Sequence, residues 1–97
     1  MRPYELMYII NPQKSEEEIA ALVAGVNGTI ESLGGKVESV FQTEPWGRRR
    51  LAYPLQKMEE GYYVLTHFSA GVERLGELER YLKLSEGILR YLLTRRP

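Results

Sequence analysis

Between Ser15 and Gly35 the apolar residues Ile19, Leu22, Val23, Val26, Ile30 and Leu33 recur at helical spacing. A helix with a single apolar stripe is stable only when that stripe is covered, so this stretch demands a second layer. Its start is written in Ser15-Glu16-Glu17-Glu18, a capping box in which the serine and the glutamate three residues on each satisfy a free backbone N–H. The three acids also suit the positive end of the helix dipole, and Gly34-Gly35 supplies the stop. Gly25 and Gly28 fall inside the helix and should cost it about 1 kcal/mol each relative to alanine. Close packing would account for them, and so would a loose middle turn.

The flanking segments supply the layer. Tyr4 to Ile10 is rich in β-formers and alternates in part, with Tyr4, Leu6, Tyr8 and Ile10 on one face and Glu5, Met7 and Ile9 on the other. The first set is the better core candidate, because the second carries Glu5. Asn11-Pro12 ends the strand. Lys36 to Gln42 is a second strand, in which Val37 and Val40 break alternation and predict a bulge. Thr43 to Gly47 is a loop or a distorted part of the same long strand. Arg48 to Leu55 resumes extended backbone, with Pro54 marking a sheet edge. Lys57 to Gly61 is a turn. Tyr62 to Phe68 is a third strand with two equally buriable faces. Gly71 to Leu82 is a second helix that turns Leu75, Leu78 and Leu82 inward. Ile88 to Thr94 is a fourth strand, with Leu89, Tyr91 and Leu93 on one side and Arg90 and Leu92 on the other.

With right-handed crossovers, this order puts both helices on one face of a four-stranded antiparallel sheet. The fold class is α+β, the ferredoxin-like split βαββαβ arrangement, and the 97 residues suffice for one domain spanning residues 1–97. The other sheet face stays open. With Met7, Ile9 and Leu92 on it, that face wants a partner.

Several classes of chemistry are excluded. The chain has no cysteine, hence no disulfide, thiolate or cysteine-ligated zinc, and its one histidine, His67, cannot form a histidine-rich metal site. No apolar run approaches the ~20 residues of a membrane span, and Met1 to Glu5 does not open like a secretory signal. A soluble cytoplasmic protein is the expectation. No glycine-rich phosphate loop is present. The acids fall mostly on helix surfaces or beside arginine, which does not make a catalytic carboxylate pair. His67 lies mid-strand among apolar residues and reads as structural or partly exposed; a general base would want an orienting partner. The loop Asn11-Pro12-Gln13-Lys14 lacks the glycine-rich, arginine-bearing pattern of acylphosphatases, which share this fold. Neither an enzyme nor a bound cofactor is expected.

Thirteen basic and thirteen acidic residues cancel, so net charge alone does not point to nucleic acid. Placement is more telling. Ser15 to Gly35 holds four acids and no base, whereas Lys36 to Met58 holds five bases and two acids. The run Trp46-Gly47-Arg48-Arg49-Arg50-Leu51-Ala52-Tyr53 sets three arginines among aromatic and apolar residues. One reading is a solvated edge strand whose charges discourage aggregation. The other is phosphate contact, for which guanidinium offers a planar fork of donors. Arg2, Arg90, Arg95 and Arg96 can join the cluster only if the fold brings the strand ends together. Packing carries the larger share of the expectation for Trp46 and Tyr53, although an exposed aromatic beside arginine can stack on a base.

The third strand is a poor match to the RNA-recognition motif: Glu60-Gly61-Tyr62-Tyr63-Val64-Leu65-Thr66-His67 agrees at the glycine, the first aromatic and the apolar position only. A second likeness covers almost the whole chain. It comprises Met1-Arg2-x-Tyr4-Glu5, Asn11-Pro12, Gly34-Gly35-Lys36-Val37 and, most specifically, Trp46-Gly47-x-Arg49-x-Leu51-Ala52-Tyr53-Pro54-Leu55-x-Lys57-x-x-x-Gly61-Tyr62. With these the chain resembles the bacterial ribosomal protein numbered six of the small subunit. The resemblance implies a structural role without catalysis or cofactor: binding the central domain of small-subunit ribosomal RNA as a heterodimer with ribosomal protein eighteen. Pro3 stands where the family commonly has a basic residue, and the chain stops at Pro97 where many members carry a polar extension. The RNA-binding candidates are Arg2, Arg48, Arg49, Arg50 and Arg90, of which only Arg49 falls on a fixed arginine of the pattern. Trp46 and Tyr53 are assigned to shaping the partner surface or the RNA surface. The competing class is a small-molecule-binding regulatory domain of the same fold. A pocket of converging polar groups at a homodimer interface would favour it.

Overall fold

A computed structural model describes residues 1–97. The elements run β1 (Arg2–Ile10), α1 (Glu16–Ser32), β2 (Lys36–Phe41), β3 (Gly47–Leu55), β4 (Met58–Ala70), a short 3-10 turn (Val72–Arg74), α2 (Leu75–Leu84) and β5 (Ile88–Arg95). The sheet is antiparallel in the order β2-β4-β1-β5, with β3 paired to β4 as well.

The expected second strand is therefore broken in two, and the sheet has five strands rather than four. Both pieces lie along the same edge of β4. β2 pairs with the stretch from Leu65 to Ser69, and β3 pairs with the stretch from Met58 to Tyr63. The register shifts between Val37 and Ser39, where the spacing of the valines predicted a bulge. The turn is also tighter than expected. It is confined to Gln56 and Lys57, both at positive φ (49° and 67°), with Leu55 opposite Met58. That is the backbone a two-residue hairpin loop needs, even though neither residue is glycine. β4 consequently begins four residues earlier than Tyr62, and the hairpin of β3 and β4 overhangs the end of β1.

The helices cover one face of the sheet. Leu6, Tyr8, Ile10, Val64 and Phe68 meet Val26, Ile30, Leu78 and Leu82 there, all essentially inaccessible to solvent. Register settles the face of the third strand that sequence left open: Val64 lies opposite Tyr8 and Phe68 opposite Tyr4, so Tyr62, Val64, Thr66 and Phe68 share the helix side. Burial pushes the Tyr8 hydroxyl well above the usual tyrosine range, with Tyr81 and Tyr62 adding to the effect. The capping box is in place, Glu18 N–H donating to Ser15 Oγ (3.2 Å) and Ser15 N–H to Glu18 Oε1 (2.8 Å). Gly25 lies under the Tyr81 hydroxyl, which a Cβ would meet, whereas Gly28 faces open space. Close packing thus accounts for the first glycine only.

Candidate nucleic-acid interface

Alternation along β3 divides the arginines. Arg48 lies opposite Tyr62 and Arg50 opposite Glu60, both on the helix side of the sheet; Arg49 lies opposite Gly61, on the open side. Each makes different contacts. Arg48 Nη1 donates to the Pro12 carbonyl at 3.0 Å, tying the hairpin to the loop after β1. The Arg49 guanidinium lies over Tyr63, 4.8 Å from the ring centroid, with the Trp46 ring 6.0 Å away. Such cation–π contacts hold the group in place without neutralising it. Arg50 is exposed and has no side-chain partner. All three are exposed, and the carboxylate contacts of the chain's basic side chains, Glu5 with His67, Arg74 with Glu77 and Arg96 with Glu38, include none of them.

Arg90 joins Arg49 on the open side of the hairpin end, from β5. It sits opposite Ile9, near the overhanging hairpin, and its Nη1 donates to Tyr53 Oη at 2.8 Å. Arg2 does not join them. It lies opposite Ala70 at the other end of β1, seven residues from Ile9 and therefore roughly 23 Å away along the strand. Arg95 and Arg96 share that far end, opposite Tyr4 and bonded to the Pro3 carbonyl respectively. Trp46 is half-buried against Arg49, while Tyr53 is 59% exposed.

The open face carries a feature not anticipated. The hairpin leans over the sheet, and Ile9 and Leu51 converge above Gly61, where a Cβ would meet both side chains. Ile9 is thereby only 4% exposed although it shares a face with Glu5. Beside this contact runs a groove of about 340 Å³, walled by Leu51, Tyr53 and Leu55 and floored by Met7, Ile9 and Leu92. The phases of Met7, Ile9 and Leu92 were readable in sequence. The inward lean of residues 51–55 was not, because Pro54 and the charges before it read as a solvated edge.

His67 is half-buried and bonded through Nε2 to Glu5 Oε1 at 2.9 Å, with Phe41 edge-on at 5.3 Å. It has a carboxylate partner, but no constellation forms around it. Ser39 lies across from His67 in the ladder and makes no hydrogen bond to it. No group of three or more His, Cys, Asp or Glu side chains is placed to hold a metal, and no helix is long and apolar enough to cross a membrane.

The family model described as Ribosomal protein S6 matches residues 3–95.

The chain belongs to the ribosomal protein S6 family.

It is 47% identical over 94 residues to the small ribosomal subunit protein bS6 of Dictyoglomus turgidum, covering 97% of this chain and 94% of that protein. It is 44% identical over 94 residues to the bS6 protein of Clostridium novyi, covering 97% and 96%. Among solved structures, the 30S ribosomal protein S6 of Thermotoga maritima superposes with a TM-score of 0.91 at 36% identity, covering 98% of this chain and 87% of that one. The P2 domain of the chemotaxis kinase CheA in complex with CheY superposes with a TM-score of 0.66 at 16% identity, over 98% of each chain, a likeness of fold alone. The S6 family thus brings its ferredoxin-like α+β architecture to a chain whose sequence already spelled out the layers.

Proposed function

We propose that this chain is a structural constituent of the small ribosomal subunit that binds small-subunit ribosomal RNA, with no catalytic role, and so resides on cytoplasmic ribosomes. Membership of the S6 family supports the ribosomal role. The observation that carries the RNA contact is the hairpin cluster Arg48, Arg49, Arg50 and Arg90, whose guanidinium groups have no carboxylate within ion-pair distance. Phosphate oxygens are the complementary ligand. Arg2 serves as an outlying contact from the far end of β1. The second protein of the reading is ribosomal protein eighteen of the small subunit, bound as a heterodimer on the central domain of the RNA. Trp46, at the outer edge of the sheet, is assigned to that partner. Tyr53, whose hydroxyl accepts from Arg90, is assigned with the guanidinium groups instead. A protein sharing its RNA site with a second protein can be neutral overall, because only the shared surface has to be basic.

The test replaces Arg48, Arg49 and Arg50 together with alanine and measures binding of the heterodimer to central-domain RNA over a salt series. Affinity falls, and the slope of log K against log salt becomes shallower by about 2, from about 0.7 per phosphate contact. An unchanged affinity and slope removes these arginines from the RNA interface. The open-face groove does not favour the small-molecule alternative, because it is lined by apolar side chains with Arg90 the exception.

A further inference from the structure

We propose that the groove on the open sheet face is a seat for one unpaired RNA base, whose neighbouring phosphates lie on the guanidinium groups at its rim. The inference rests on the RNA-binding reading above and adds to it a subsite and a form of RNA.

Two observations combine. First, the groove is apolar and uncovered. Tyr53 and Leu92 on its two sides are 59% and 57% exposed, and the space of about 340 Å³ between them falls within the range of small-ligand clefts. An apolar cleft with a single charged group at its rim is a default place to look for a ligand. Second, the rim is cationic. Arg90 lines the groove itself, and Arg49 stands on the same face of β3. The nearby acids Glu59 and Glu60 on β4 form no ion pair with either. The occupant that fits both has a flat apolar body and an anionic chain. An unpaired nucleotide is such a group; a duplex is not, because its base planes are stacked inside.

The rim chemistry favours a base over an acidic polypeptide. Unstacked bases lie against aromatic rings and guanidinium planes, and Tyr53 presents a ring with the Arg90 guanidinium 5.8 Å from its centroid. Arg90 spends one N–H on Tyr53 Oη, and its other side-chain N–H groups form no hydrogen bond within the chain. Arg49 is held by Tyr63 and Trp46, so its position is set before any ligand arrives.

The experiment follows methyl and amide NMR signals of the full chain within the heterodimer. The probes are single-stranded hexaadenylate RNA, the same strand with its bases removed, and adenosine monophosphate. The intact strand shifts Met7 and Leu92 signals together with those of the hairpin. The abasic strand shifts the hairpin alone, and the mononucleotide reaches the groove only at far higher concentration. Tyr53→Ala weakens the intact strand about tenfold, a larger loss than it causes for the abasic strand, and the difference between the two strands is restored by Tyr53→Phe. Equal affinity for intact and abasic strands, with Met7 and Leu92 unmoved, overturns the base seat and leaves the phosphate contacts standing. Binding of neither strand overturns the base seat, and the heterodimer's affinity for central-domain RNA over the salt series then decides the phosphate contacts separately. A mononucleotide as tight as the strand makes this a free-nucleotide site and overturns the proposal. So does a shift of the same methyl signals by RNA-free small-subunit proteins, which makes the groove a protein seat.

Discussion

The two ends of the open sheet face treat charge in opposite ways. At the end where β1 begins, Glu5 holds His67 at 2.9 Å, and Glu38 accepts from Ser69 Oγ at 3.2 Å while lying 3.5 Å from Arg96. At the hairpin end, Arg49 and Arg90 face aromatic rings, and no carboxylate reaches them. The difference arises from what stands opposite on neighbouring strands. Near the start of β1, acids and bases fall in register across the ladder. Near its end the facing residues are Ile9, Leu51 and Tyr63, which lend apolar surface and ring faces but no negative charge. Charges at the first end are spent on the fold. Those at the second remain available for a ligand, and they stay ordered because rings hold them.

Changes at the hairpin's packing should have the largest effect on stability. Gly61→Val places a branched side chain against Ile9 and Leu51. Overpacking of this kind costs about 2–3 kcal/mol, read as a lower midpoint in urea unfolding. A fully stable variant would mean that the lean of the hairpin over the sheet is not what buries Ile9.

The next effect sharpens what a spent charge contributes. Ser15→Ala should cost about 1 kcal/mol through loss of the helix cap. Glu18 adds a pH signature. Its carboxyl is held below the ordinary value of 4.5, chiefly by the Ser15 backbone N–H and then by the Ser15 side chain. A depressed folded value means stability that is present above the unfolded value and lost as pH falls through the folded one. Urea midpoints of the native chain should therefore drop as pH falls below about 4.5, and Glu18→Gln should flatten that part of the curve. Identical acid limbs for the two proteins would show that this carboxylate does not contribute.

The smallest effects compare the two ends directly. Arg96→Ala removes a half-exposed pair and should cost no more than about 1 kcal/mol. Arg50→Ala removes a charge with no partner and should leave stability within about 0.5 kcal/mol, or raise it slightly by relieving repulsion from Arg48. Thermal unfolding of the two variants side by side checks this. If Arg50→Ala proves the more destabilising, the hairpin arginines are tied into the fold after all.

Much of the architecture was legible in particular residues. The phases of Tyr4 to Ile10 and Ile88 to Thr94, the capping box at Ser15, and the bulge between Val37 and Ser39 all follow from local spacing. The long pattern from Trp46 to Tyr62 pointed to the family that the comparisons bear out. The turn at Gln56-Lys57 was missed because neither residue is one of the usual left-handed formers. Periodicity left open whether Thr43 to Gly47 is a loop or a distorted part of one strand, since both flanking pieces have the same extended pattern; the structure separates them as β2 and β3. At the site, placing Arg90 on the face of Arg49, with Arg48 and Arg50 on the other face and Arg2 at the far end of β1, needed the strand register.

What neighbours along the chain determine is conformation: where a helix is capped, which residues of a strand share a face, where the backbone must turn. Those are energies between residues a few positions apart, and they are written in spacing and residue type. Tertiary structure alone decided that residues 51–55 lean onto the sheet, that Ile9 is buried beside Glu5's own face, and that the Arg49 and Arg90 guanidinium groups meet rings instead of carboxylates. Each of these depends on contacts between residues tens of positions apart, where a shift of one place in register would exchange one set of neighbours for another.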